Sequence, residues 1–172
     1  LLADVLATPI CAVINSSIRQ GVVPQQWRIA RITPIPKTIP PRFVDSDLRP
    51  IAITCPISKI AEHFMSGMFN EHFESHVDVN QFGCVAGRST TLALIKLTHL
   101  LFEISDDSSN IIRLLFIDFK KAFELIDHNI VAKKLDLYEF PPHIALWTLS
   151  FLQHRKQFVK LGTKISSVLD ID

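Results

Sequence analysis

The residues best placed to do chemistry stand at the end of one apolar run. Leu114-Leu115-Phe116-Ile117 leads into Asp118, followed by Phe119, Lys120, Lys121, Ala122 and Phe123. A carboxylate at the C-terminal end of a buried strand stands at a sheet edge. A hard cation can bind there, because Mg²⁺ takes oxygen ligands, usually one or two carboxylates together with substrate phosphates. Taken alone, an Asp after a strand is more often a cap or a surface acid. Two phosphoryl-handling classes that use an acid in this place do not fit. A P-loop needs G-x-x-x-x-G-K-[ST] after an apolar strand. Here Gly83 to Gly87 encloses three residues, Arg88 replaces the lysine, and Asp78, Asn80 and Gln81 occupy the place of the strand. An aspartyl-phosphate enzyme needs a second acid two residues on, where this chain has Lys120.

The third class is the nucleotide polymerases, and there a resemblance appears. The segment from Phe116 to His128, F-I-D-F-K-K-A-F-E-L-I-D-H, resembles the F-x-D-F-x-K-A-F-D-x-V-D-H signature of reverse transcriptases of the non-LTR (LINE-type) retrotransposons. Leu48-Arg49-Pro50-Ile51-Ala52-Ile53 is similar to that family's L-R-P-I-S-L block, and Ser58-Lys59-Ile60 to the S-K-I/L after it. Gln81-Phe82-Gly83 with Gly87-Arg88-Ser89-Thr90 resembles its Q-F-G-F-x-x-G-R-S-T block. Order and spacing agree as well. Pro34-Ile35-Pro36-Lys37 and Ser150-Phe151-Leu152 with Arg155 are also similar, so the resemblance spans nearly the whole chain.

The resemblance implies an α+β fold, the fingers and partial palm of a right-hand polymerase, with residues 1–104 mostly fingers and 105–172 the start of the palm. It implies that Asp118 is the first metal-binding aspartate and that the Phe119 carbonyl is a further ligand. Two Mg²⁺ would then serve an in-line displacement that adds deoxynucleotides to a DNA primer on an RNA template. By the same resemblance Lys37 and Arg49 hold the incoming deoxynucleoside triphosphate, for which Arg offers a bidentate fork and Lys a point charge. Without the family, both are surface cations. Phe123 corresponds to the aromatic that excludes a ribose 2′-hydroxyl, although by residue type alone it is an ordinary core Phe. Gln81, Gly83 and Arg88 correspond to a block lying along the template, and equally to a tight turn before a helix. Asp127 and His128 are expected to be structural, fixing the start of the next helix.

The chain departs from the pattern in two places. Glu124 stands where the family commonly has Asp. The P-Q-G block and the paired aspartates of the A/Y-x-D-D hairpin lie downstream of the region equivalent to Asp172. Asp170 and Asp172 do not replace them, since an I-D-I-D alternation puts both on one strand face without a turn. We therefore expect a polymerase fragment that carries triphosphate-contacting and first-metal elements but is inactive by itself. The alternative is a non-catalytic retroelement remnant, at most a nucleic-acid-binding module.

Local elements must position these residues. Val5, Leu6, Ile10, Val13 and Ile14 repeat at helical spacing over residues 3–18, and Gly21 supplies a stop. Residues 28–37 alternate, and Pro34 and Pro36 confine them to an edge strand or ribbon whose partner is expected over 49–54. Lys37 and Arg49 are expected on one face of that ribbon. A helix is predicted over 58–73, with Ser58 as a possible cap, and another over 90–104 capped by Ser89. Residues 111–117 carry the strongest strand pattern, and we expect a buried central strand there. Asp127 is expected to cap a helix over 129–137, and Pro141-Pro142 to open one reaching about Gln153. A hairpin through Gly162 and a strand over 168–172 follow.

Composition sets the outer bounds. The chain has 172 residues, 48% hydrophobic and 20% charged, enough for one packed domain or part of a larger one. No apolar run reaches membrane-spanning length and no secretory leader is recognisable, so a protein without a membrane partner, inside the cell in nucleus or cytoplasm, is expected. Cys11, Cys55 and Cys84 form no C-x-x-C pair and are expected as reduced thiols. Net charge is only +1, but residues 19–59 hold seven basic residues against two acids, and residues 60–118 hold eight acids against three bases. The first segment could meet phosphates, although for charge asymmetry alone solvated faces are the more usual reading.

Overall fold

A glycine ends the first helix for two separate reasons. Gly21 has φ +63°, and a Cβ there would stand 2.6 Å from the Cβ of Leu146. The computed structural model describes residues 2–106, 110–119 and 125–171. It divides into two units, residues 1–72 with 127–172, and residues 73–126.

In the first unit, helix α1 (Leu2–Gln20) buries Ile14 and Ser17, while Val5, Leu6 and Val13 are exposed, so only its second half is packed. The turn after Gly21 is held by side chains from far along the chain. Ser150 Oγ accepts from the Val23 amide at 2.9 Å and from Arg28 Nη2 at 2.7 Å, and the same Nη2 donates to the Val23 carbonyl at 2.7 Å. Trp147 Nε1 donates to Ser17 Oγ at 3.0 Å, and that hydroxyl donates to the Val22 carbonyl at 2.6 Å. Val23, Trp27, Ala30, Ile144 and Trp147 are buried around this junction.

Strands β1 (Ile29–Pro36) and β2 (Leu48–Ile53) pair antiparallel, joined through the single helical turn α2 (Val44–Asp47). Residues 29–32 of β1 also pair in parallel with β3 (Arg155–Leu161). Strands β4 (Lys164–Ile165) and β5 (Leu169–Ile171) pair antiparallel with the two halves of β3. β1 is therefore an inner strand at its start and a two-stranded ribbon at its end. Pro34 and Pro36 fall in the ribbon, where only one neighbour asks for ladder bonds. Residues on both sides of position 104 thus share one sheet.

Helix α3 runs over Pro56–Phe73, starting earlier than expected. Pro56 opens it, where a missing N–H costs nothing. Ser58 is no cap: it is 1% exposed and donates to Glu62 Oε1 at 2.7 Å. The buried face is Ser58, Ala61 and Met65, whereas Ile60 and Phe64 are exposed. Helix α5 (His128–Leu137) is capped by Asp127, whose Oδ1 accepts from the Asn129 amide at 2.8 Å. α6 (Pro142–Leu152) begins on the second proline of Pro141-Pro142. His72 Nε2 donates to the Tyr138 carbonyl at 2.9 Å, and Phe140 lies against Phe69 with ring centroids 4.4 Å apart, so α3 and the α5–α6 connection are fastened together.

In the second unit, helix α4 (Thr90–Ser105) starts at Ser89, whose Oγ accepts from the Leu92 amide. None of its residues is buried. The expected central strand over 111–117 is not present. Residues 110–119 are irregular, and Leu115 and Phe116 are 84% and 80% exposed. A strand exists only through ladder bonds to a neighbour, and no described segment pairs with this one. Ile112 and Leu114 instead border an apolar groove of about 480 Å³ with Leu101 and Phe102 of α4. Among the described residues, no helix is long and apolar enough to cross a membrane.

Candidate functional site

The ribbon arranges Lys37 and Arg49 through the parity of its register. Ile35 lies opposite Arg49, and the Lys37 amide donates to the Asp47 carbonyl at 2.7 Å, continuing the pairing one step past β1. Opposite pairs alternate between hydrogen-bonded and non-bonded. The Lys37–Asp47 bond therefore makes Ile35–Arg49 a bonded pair and leaves Pro34–Pro50 in a non-bonded position, where two residues without N–H lose nothing. Side chains two apart on a strand share a face, so Arg49 stands on the same side of the ribbon as Ile35, and Lys37, one residue past β1, continues that alternation. Arg49 is exposed, as is Lys37, whose Nζ donates to the Ser46 carbonyl at 2.8 Å.

Asp47 organises the connection between the strands. Its Oδ2 accepts from the backbone amides of Arg42 at 2.8 Å and Phe43 at 3.1 Å, and its Oδ1 from the Ser46 hydroxyl at 2.6 Å. The Ser46 hydroxyl, the two amides and the charge of Lys37 together hold the pKa of this carboxyl below the usual carboxylate range. Sequence reasoning did not single out Asp47. The available signal was an Asp in a turn, a residue type that ties up nearby backbone N–H groups.

In the second unit, Gln81, Gly83 and Arg88 belong to one loop. Arg88 Nη1 donates to the carbonyls of Asp78 at 2.7 Å and Gln81 at 2.6 Å, closing residues 78–88 before α4. Gln81 Nε2 donates to the Gly83 carbonyl at 2.8 Å, and Lys96 Nζ on α4 reaches Asn80 Oδ1 at 2.5 Å. Cys84 and Gly87 both have positive φ, +58° and +74°. A Cβ on Gly83 would meet only the Gln81 amide nitrogen, at 3.7 Å, so its backbone is open to close approach.

Asp118 and Phe119 are exposed at the end of the irregular 110–119 segment. Asp118 offers the hard oxygens that Mg²⁺ prefers, but among the described residues no group of three His, Cys, Asp or Glu side chains is assembled to hold a metal ion. Among the described residues, Asp118 is thus a fitting ligand without a two-metal cage around it. Phe123 and Glu124 lie outside the described residues, as does Asp172. Asp170 faces Lys156 across β5 and β3, with Nζ and Oδ1 3.0 Å apart.

Residues 35–169 match the family described as reverse transcriptase (RNA-dependent DNA polymerase). The chain is similar to a probable RNA-directed DNA polymerase from transposon BS of Drosophila melanogaster, 27% identical over 173 residues, covering 95% of this chain and 19% of that protein. It is also 27% identical over 160 residues to a probable RNA-directed DNA polymerase from transposon X-element of the same fly, covering 92% of this chain and 17% of the relative. The chain thus spans about a fifth of the length of the curated relatives it matches.

Proposed function

Since the chain belongs to the reverse transcriptase family, among those of non-LTR retrotransposons, we propose that it supplies the fingers and the start of the palm to a polymerase that extends a DNA primer on an RNA template. Residues 1–104 contribute mostly fingers and 105–172 the first palm segment. Lys37 and Arg49 bind the triphosphate of the incoming deoxynucleotide. Gln81, Gly83 and Arg88 form the loop along which the template lies. Asp118, with the Phe119 carbonyl, is the first ligand of a Mg²⁺ centre, and metal bound there supplies charge stabilisation to phosphoryl transfer. Phe123 excludes the ribose 2′-hydroxyl. Further carboxylates are needed to complete that centre, so the chain by itself is inactive.

The reading is supported most directly by the ribbon, in which Arg49 lies opposite Ile35 and the Lys37 amide continues the same pairing onto Asp47. Neutralising one phosphate contact weakens triphosphate binding without touching the reacting atoms. Lys37→Ala and Arg49→Ala are therefore expected to raise KM for deoxynucleotides about tenfold each in RNA-templated primer extension by the polymerase that carries this chain. Asp118→Asn is expected to lower kcat by at least ~100-fold with KM little changed. If all three variants extend primers like the parent, the polymerase assignment of these residues fails. RNA binding without extension by the parent itself would favour the non-catalytic, nucleic-acid-binding alternative.

A further inference from the structure

One carboxylate stands among the ribbon's cations, where a negative charge works against triphosphate binding. Asp47 closes α2, its carbonyl paired with the Lys37 amide and its position two residues before Arg49, and its side-chain oxygens are turned onto the connection between the strands. Oδ2 gathers the amides of Arg42 and Phe43, and Oδ1 takes the Ser46 hydroxyl. The Asp47 backbone is engaged as well: its carbonyl accepts from the Lys37 amide and its amide donates to the Phe43 carbonyl at 3.1 Å. The ammonium of Lys37 rests on the Ser46 carbonyl, one residue away. Lys37 therefore lies beyond the last residue of β1, held at its backbone and its tip by a turn whose shape depends on Asp47.

We propose that Asp47 is a positioning residue for nucleotide binding: by folding residues 42–47 onto its carboxylate, it sets the backbone and carbonyl that aim Lys37 beside Arg49. The proposal rests on the triphosphate role of those two cations. Asp47 touches no substrate; its charge is consumed by the turn. Removing only the charge while keeping an acceptor oxygen should be tolerated, and removing the acceptor should release Lys37.

Asp47→Asn and Asp47→Ala, compared with Lys37→Ala and Arg49→Ala, test this by two readouts. Amide hydrogen exchange on the chain reports the turn, and steady-state extension by the polymerase that carries it reports nucleotide binding. For Asp47→Ala we expect exchange at Arg42, Phe43 and Lys37 to speed up at least about tenfold, and KM for deoxynucleotides to rise roughly five- to tenfold with kcat within about twofold. Asp47→Asn is expected to hold both quantities within about twofold of the parent, because an amide oxygen still accepts from the backbone. The proposal is overturned if exchange is unchanged in Asp47→Ala. It is overturned equally if KM falls in both Asp47 variants, which would make the residue a plain opposing charge, or if Asp47→Ala lowers kcat, KM and melting temperature together with no rescue by Asn. If the turn loosens in Asp47→Ala while Lys37→Ala and Arg49→Ala leave KM unaltered, the triphosphate reading is what failed, and the positioning role fails with it.

Discussion

Arg88 commits Nη1 to two backbone carbonyls, and that commitment separates two roles for one cation. A phosphate contact contributes counterion release, and its loss lowers the slope of log affinity against log salt by about 0.7 for single-stranded RNA. A loop clasp contributes none. Arg88→Ala is therefore expected to weaken RNA binding several-fold with a slope changed by less than about 0.3. A slope reduced by the full amount would make Arg88 a direct phosphate ligand. Asp47 adds a pH dependence. Its folded pKa is lowered from an ordinary value of 3.8, so the turn's stabilisation is fully present above that value and is lost as pH falls through the lower folded one. Exchange-labelling at Arg42 and Phe43 should show protection at neutral pH that disappears only below about pH 4. Phe123 belongs to the same scale. If Phe123 is the proposed sugar gate, Phe123→Ala raises the ratio of ribonucleotide to deoxynucleotide incorporation by the intact polymerase, because it then removes a clash and no reacting group. An unchanged ratio with a lower melting point would make it a packing residue, for which ~3–5 kcal/mol is the ordinary cost.

At the scale of elements, the junction of α1 with α6 is held by both a left-handed glycine and a set of side-chain hydrogen bonds. Gly21→Ala must accommodate both a left-handed backbone and a methyl group within 2.6 Å of the Leu146 Cβ. A loss of about 2–4 kcal/mol is expected from a denaturant melt, since strain and overpacking add. Ser150→Ala removes the acceptor shared by the Val23 amide and Arg28. It should cost about 1–3 kcal/mol, the range for part-buried donors left unpaired. By contrast, Ser89 and Asp127 cap helices at exposed starts. Their replacement by Ala should each cost only about 1 kcal/mol.

At the scale of the molecule, the sheet depends on residues far apart in sequence. The Val159 amide donates to Ser166 Oγ, so by alternation the Phe158 amide points toward β1, where Phe158 is paired with Arg31. Phe158→Pro removes that donor from an inner strand. The ribbon's base should then loosen, with faster amide exchange across Ile29–Ile32 and a stability loss above ~1 kcal/mol. Contacts of such separation form only after long chain closure. The charge pattern also follows this scale: the basic segment 19–59 lies in the unit containing the ribbon, and most of the acid-rich segment 60–118 lies in the other.

The sequence by itself determined the long helices and most of their starts, that of α3 excepted, because helical bonds and caps join residues three or four apart. Ser89, Asp127, Gly21 and Pro142 all act within that range. It also determined the ribbon, through the density of prolines between two alternating runs, and the family, through blocks spread over nearly the whole chain. Only the tertiary structure decided which face of α3 is covered, that Ser58 is interior, and that Ser150 closes a turn 127 residues away. It also decided that Asp47 is the hub of the ribbon's connection and that residues 111–117 are not a strand among the described elements. Apolar periodicity records how readily a segment can be buried, whereas a ladder or a clasp needs a partner whose position no local pattern encodes.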